Sequence, residues 1–264
     1  MTQIIKRKKF IVYLMLIGTM FLLTLLVPLF SGYSYREINL NQIWANPSLS
    51  HWLGTDKMGR DILTRLFYGG RISLFIALVV EVIAFPIGTI FGYFSGTKKN
   101  FPLTMLNRSM DVLFSFPTII LALTMAGIIG IGMPAIIAAI SLAEIPVFFR
   151  YTRTLVLKVN NERFMETLTA IGVKRWNIFT RHIVPHIIPP LLPKIIFNFA
   201  TTIIFESTMS FIGIGIQAPL PSWGNMIRDG IPYVNVHPLL VIVASVILAL
   251  TVLLLFGLSN STED

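Results

Sequence analysis

Four carboxylates interrupt stretches that are otherwise apolar: Glu81, Asp111, Glu144 and Glu206. A charge near the centre of a bilayer costs at least about 2.5–3.5 kcal/mol on insertion scales, so such a side chain is held by a partner or faces water. Asp111 lies one helical turn from Arg108, which predicts an ion pair. Glu206 sits beside Ser207 and Thr208, with Ser210 one turn further on. Both pathway lining and hydrogen bonding between helices fit that setting. Glu81 and Glu144 admit three roles: binding a cationic solute or metal chelate, pairing with a neighbouring subunit, or carrying a proton. Nothing here assembles into catalytic machinery. Cysteine is absent, and the apolar stretches hold no His or paired Asp to serve as base or metal ligand, so no catalytic residue, cofactor or metal is expected. His182 and His186 share a helix face, but Pro185 between them and the basic surroundings argue against a metal site.

Composition explains why these charges need positioning. The 264 residues are 55% hydrophobic and only 12% charged, against about 25% charged in a typical soluble domain. Mean hydropathy is +0.77. The chain reads as an all-α integral membrane protein. A bilayer core about 30 Å thick needs about 20 helical residues, and six segments qualify: Phe10 to Phe30, Ile72 to Phe94, Leu106 to Ile129, Met133 to Phe149, Ile187 to Ile212 and Pro238 to Leu258. Six transmembrane helices place both termini on one side. Most of the 21 Lys and Arg then fall in cytoplasmic segments, as the positive-inside bias requires. The net charge of +9 is therefore read as orienting the chain in the lipid bilayer, not as a nucleic-acid footprint. The organisation expected is a basic cytoplasmic N-terminus (1–9), a first span (10–30), an extracytoplasmic loop (31–71), a five-helix core (72–258) and a cytoplasmic tail (259–264). Lys98 and Lys99 mark a short turn, and no inverted internal repeat is visible.

One cytoplasmic segment inside that core, 150–186, breaks the pattern with charge. Phe164, Leu168 and Ile171 recur at helical spacing, Gly172 permits a sharp turn, and a second amphipathic run carries Trp176, Ile178 and Phe179. Pro185, Pro189, Pro190 and Pro193 are expected to restart the backbone after it. A bent amphipathic segment of this kind suits a grip by a soluble partner; a solvated loop is the alternative.

The residues Glu166-Thr167-Leu168, Gly172 and His182-Ile183-Val184-Pro185 resemble the "EAA" loop of permease subunits in binding-protein-dependent ABC importers. The spacing agrees throughout, with Thr167 and Leu168 in place of two alanines. Further stretches narrow the likeness. They are Leu53-Gly54-Thr55-Asp56 with Gly59-Arg60-Asp61, Arg65-Leu66 with Tyr68-Gly69, Asp111 with Phe116-Pro117, Glu206 with Ser210-Phe211, Gly213 and Gly215, and Pro221-Ser222-Trp223-Gly224-Asn225-Met226. Together they resemble the C-type permease of the peptide and nickel branch.

That resemblance implies half of a translocation pathway for peptides, nickel or metal chelates. The implied partners are a second, B-type permease subunit, two ATP-binding ATPase subunits and an extracytoplasmic solute-binding protein. Between helices four and five, a coupling helix would contact one ATPase through Glu166, Thr167, Leu168, Ala170, Ile171, Gly172, Val173, Lys174 and Trp176. Glu81, Asp111, Glu144, Glu206 and Ser210 would be the polar residues of the pathway or the membrane interior. Asp56, Arg60, Asp61, Trp223, Asn225, Arg228 and Asp229 would form the docking surface for the binding protein, with Arg60, Asp61, Arg228 and Asp229 supplying exposed charge. ATP hydrolysis is expected of the partners, since the chain holds no G-x-x-x-x-G-K-[ST] loop. The alternative class is a secondary transporter of small cationic solutes working without an ATPase.

Overall fold

The computed structural model describes residues 2–97 and 100–262. Lys98 and Lys99, and the side chains of Lys6, Arg7 and Lys8, lie outside the described residues. The helices are α1 (Thr2–Phe30), α2 (Ile62–Thr97), α3 (Phe101–Ser115), α4 (Thr118–Ile129), α5 (Met133–Asn160), α6 (Arg163–Ala170), α7 (Arg175–Ile178), α8 (Val184–Ile212), α9 (Trp223–Gly230) and α10 (Leu239–Thr262). Among the described residues the only β pairing is one bridge between Thr55 and Asp61. Among the described residues five helices are long and apolar enough to cross a membrane, and α3 with α4 supplies a sixth crossing if the bent pair counts as one.

Several crossings are longer than their apolar stretches. Helix α2 starts at Ile62 instead of Ile72, because the two arginines that look like loop residues are satisfied inside it. The Arg65 guanidinium lies 3.4 Å from Asp56 and donates to the Tyr35 carbonyl at 3.0 Å. Arg71 donates to the carbonyl of Thr24 at 2.7 Å and to that of Leu25. Helix α5 runs on past Phe149 to Asn160.

The span expected from Leu106 to Ile129 is built from two helices meeting at 95°. Pro117 disfavours helical geometry in the residue before it, and Phe116 takes φ −80°, ψ 128°. The twelve residues of α4 rise about 18 Å at 1.5 Å per residue, short of the ~30 Å hydrocarbon thickness. The neighbouring helices show that the pair nevertheless returns the chain. Gly88 of α2 lies against Ile145 and Phe148 of α5, Gly92 against Phe149 and Thr152, and Gly96 against Arg153 and Val156. Residue numbers rise together, so α2 and α5 are parallel, and α3–α4 must carry the chain back between them.

Those glycines recur every four residues and let two backbones approach, the small-residue packing that membranes favour where lipid removes the hydrophobic drive. A Cβ at Gly92 would sit 2.6 Å from the Phe149 carbonyl oxygen, whereas one at Gly127 in α4 meets nothing within 4 Å. Gly92→Leu is expected to lower the midpoint of thermal unfolding in detergent sharply, an overpacking cost of about 1–3 kcal/mol or more. Gly127→Leu should leave it within a degree or two. Equal midpoints would remove this contact as the reason for the glycines.

Helix α8 runs antiparallel to α5, with Asn198 bonded to Glu144 and the Tyr151 hydroxyl donating to the Pro190 carbonyl at 3.1 Å. The four prolines expected to restart the chain lie within α8 instead. Just before them, Phe179–Ile183 widens into a π turn in which the Val184 N–H reaches the Phe179 carbonyl. The wider turn gives the Pro185 ring, which lacks an N–H and would crowd an α-helical carbonyl, room to enter. Helices α1 and α10 pack on the outside of this core, Tyr13 against Gly257 and the Thr251 hydroxyl toward Met20.

Candidate functional site

In the loop before α2 and the segment around α9, the residues expected to dock a partner form a scaffold. Asp61 caps α2, its Oδ2 accepting from the Thr64 N–H and hydroxyl at 2.7 Å each, the usual work of an aspartate at a helix N-terminus. Its Oδ1 takes His51 Nδ1 at 2.9 Å. Asp56 accepts from the backbone N–H of Met58 and Arg60 and from Arg60 Nε at 2.7 Å. Arg60 and Asp61 are 4% and 5% exposed, so the expectation that they present exposed charge is overturned. Charged groups this sparsely hydrated must pair, and they pair within the chain.

Trp223 and Asn225 are buried for a related reason. Ser222 and Asn225 make a reciprocal capping box at the start of α9, and Asn225 Nδ2 also donates to the carbonyls of Ile216 and Leu220. The Trp223 indole donates to the Leu66 carbonyl at 3.0 Å, while its ring fills the space beside Gly70 and Gly224 lies directly on the Ser207 backbone. A surface role for Trp223 and Asn225 is corrected accordingly. Of the expected set, Arg228 and Asp229 remain part-exposed, and Asp229 ties this loop to the earlier one through Lys57 at 3.1 Å. The most exposed large apolar side chains of residues 31–61 are Leu40, Leu49 and Trp52, with Ile38, Ile43 and Met58 exposed to a lesser degree.

Within the bundle the acids separate into two kinds. Asp111 pairs with Arg150, 2.6 Å from Nη2, not with Arg108. Arg150 also lies 4.0 Å over the Phe114 ring, and the pair is open at the outer edge of α3 and α5. Glu206 is 0% exposed. Its carboxylate accepts from Ser73 of α2 at 2.6 Å and from Ser210 at 2.8 Å, and Ser210 in turn accepts the Ile216 N–H. That is an interhelix tie between α2, α8 and the following loop. Glu206→Ala would strand two buried hydroxyls, a cost of about 1–3 kcal/mol; Glu206→Gln keeps an acceptor and should cost less than half as much by thermal unfolding. Equal losses would count against the tie.

Glu81 and Glu144 are both buried inside this chain. Glu144 accepts from Asn198 at 2.6 Å.

The cytoplasmic segment takes the bent form expected from its sequence. Helix α6 ends where Gly172 adopts φ +75°, and the Val173 N–H closes back on the Leu168 carbonyl at 3.1 Å. This is the left-handed glycine termination that helices favour. Phe164, Met165, Leu168, Val173 and Ile178 turn inward against Val156, Val159 and Leu191. Val173 and Leu168 are therefore spent on the chain's own bundle. Glu166, Thr167, Ala170, Gly172 and Lys174 are exposed, and Ile171 and Trp176 are each 69% exposed. Beside the segment opens a cleft of about 2040 Å³, lined among others by Phe85, Thr89, Arg108, Arg153, Trp176 and Leu191. The glycine stripe of α2 and the partner of Asp111 were not anticipated. The recurrence of Gly88, Gly92 and Gly96 was visible, whereas Arg150 is far away in sequence.

Comparison with known proteins bears on this architecture. Residues 88–261 match the family model described as binding-protein-dependent transport system inner membrane component. The dipeptide transport system permease protein DppC of Alkalihalophilus pseudofirmus is 33% identical over 236 residues, covering 89% of this chain and 78% of that one. The oligopeptide transport system permease protein OppC of Bacillus subtilis is 32% identical, covering 85% and 74%. The glutathione transport system permease protein GsiD of Pectobacterium atrosepticum is also 32% identical, covering 95% and 82%. Among solved structures, an inward-facing conformation of the MetNI methionine ABC transporter aligns with TM-score 0.55 at 17% identity, covering 75% of this chain and 93% of that one. With its several apolar crossings, the chain belongs to the binding-protein-dependent transport system inner membrane components, as a multi-pass permease subunit of an ABC importer.

Proposed function

We propose that this permease forms half of a pathway for short peptides, alongside a second permease subunit. Two ATPases would drive it from the cytoplasm, and an extracytoplasmic binding protein would deliver the solute. The peptide assignment follows the relatives, whose names specify dipeptides, oligopeptides and glutathione. The family match does not favour a secondary transporter working without an ATPase.

The observation that carries the coupling role is the exposure of Ile171 and Trp176 on a short bent segment between two long crossings. Apolar side chains left open beyond the bilayer, rimmed by Glu166, Thr167 and Lys174, suit burial in a groove of a soluble partner. The inward face of the same segment, Leu168 and Val173 included, is packed on α5 and α8. A displacement of the segment would thus move those helices as rigid bodies. Docking of the binding protein would fall on Leu40, Leu49, Trp52, Arg228 and Asp229, above the buried scaffold. Co-purification with the cognate ATPases tests the proposal. Gly172→Pro forces φ to about −65° where the chain needs +75°; it should abolish co-purification while the permease pair persists. Retention of the ATPases would overturn it.

A further inference from the structure

Glu81 has both carboxylate oxygens buried without a hydrogen-bond partner, and so do the hydroxyls of Ser141 and Thr202. Helix register brings the three together. The parallel contacts of Gly88 with Ile145 and Phe148, followed two turns back, set Glu81 level with Ser141. The antiparallel pairs Glu144–Asn198 and Tyr151–Pro190 set Ser141 level with Ala200 and Thr201, next to Thr202. One turn lower stands the Glu144–Asn198 pair, and a further turn along α8 is Lys194. Lys194 lies close enough to feel the charge of both Glu81 and Glu144.

The cleft ends one turn short of this level. Its lining includes Phe85 and Leu191, one turn from Glu81 on α2 and one turn from Lys194 on α8. The donors are oxygens throughout, a set that suits hard cations. With both carboxylates ionised, two of them against one ammonium would leave a single excess negative charge, which one monovalent ion cancels and a divalent ion would overshoot. An intramembrane carboxylate is held by a partner, a proton or a bound ion, and no side chain of the described residues bonds to Glu81.

We propose that Glu81, Ser141 and Thr202, backed by Glu144, form an intramembrane site for one monovalent metal cation, sodium being the test ion, entered from the cytoplasmic cleft. The proposal does not rest on the peptide assignment.

Thermal unfolding of the purified full transporter, with sodium exchanged for choline at constant ionic strength and pH, tests it. The expected result is a saturable rise of the unfolding midpoint with sodium, as mass action requires of a ligand that binds the folded state. Glu81→Gln should abolish that rise in complex that still assembles with its partners. Thr202→Val, which keeps the shape and removes one donor, should raise the half-saturating sodium concentration roughly tenfold. Should Glu81→Gln fail to assemble, the Thr202→Val shift decides alone. Equal response to sodium and choline, an undiminished response in either variant, or sensitivity to pH alone would overturn the proposal. None of these outcomes touches membership of the permease family.

Discussion

Replacing Asp56 by alanine is expected to be among the most damaging single changes in the chain. Its carboxylate is shared by Arg60 at 2.7 Å and Arg65 at 3.4 Å, and all three side chains are buried. Removing the one anion between two buried guanidiniums leaves uncompensated charge, and breaking such a pair costs about 3–5 kcal/mol. The loss should spread, because Arg65 also bonds the carbonyls of Tyr35 and Pro219 and so joins both extracytoplasmic loops to α2. Detergent-solubilised Asp56→Ala protein should show a markedly lower thermal midpoint and poor recovery of folded material. Asp229→Ala, which removes a part-exposed partner of Lys57, should shift the midpoint far less. A small effect of Asp56→Ala would mean that water reaches the two arginines.

The second large effect is predicted for transport with stability preserved. Ile171→Asp and Trp176→Asp place charge on side chains that are exposed, so the isolated permease should unfold at nearly the wild-type temperature. In the assembled importer the same carboxylates would have to enter an apolar contact without a partner, which buried charge does not tolerate. Peptide uptake by the double variant should fall at least ~100-fold, equivalent to about 2.7 kcal/mol at 1.36 kcal/mol per tenfold. Leu168→Asp should behave differently, lowering the midpoint itself, since Leu168 packs on the chain's own bundle. Uptake unchanged in the double variant would remove Ile171 and Trp176 from the force path.

How far these features could be read from the residues depended on whether the deciding interaction was local. Gly172 signalled its turn because only its own φ and the neighbouring amphipathic periods were involved. The break at Phe116–Pro117 was equally local, yet the apolar run on both sides masked it, and hydropathy reports oiliness without direction. The extracytoplasmic motifs misled for the opposite reason. Asp56, Arg60 and Asp61 look like solvated charges in a polar loop, and only folding shows that Arg65, His51 and Thr64 surround them. Asp111 could be seen to need a cation, but Arg108 was the near candidate by spacing, and the packing of α3 against α5 brought Arg150 instead. Pro185, Pro189, Pro190 and Pro193 read as breaks, whereas all four lie within α8 and the widened turn at Phe179–Ile183 accounts for the entry of Pro185.

The central claim is that the bent segment around Gly172 lies in the cytoplasm and is gripped there by an ATPase. The chain contains no cysteine, so Ile171→Cys introduces a single thiol at an exposed position. Labelling that thiol with a membrane-impermeant maleimide, in sealed vesicles of either orientation with and without the ATPases, measures both halves of the claim. The account predicts labelling only in inside-out vesicles, and strong protection when the ATPases are bound. Labelling in right-side-out vesicles, or labelling indifferent to the ATPases, would contradict it.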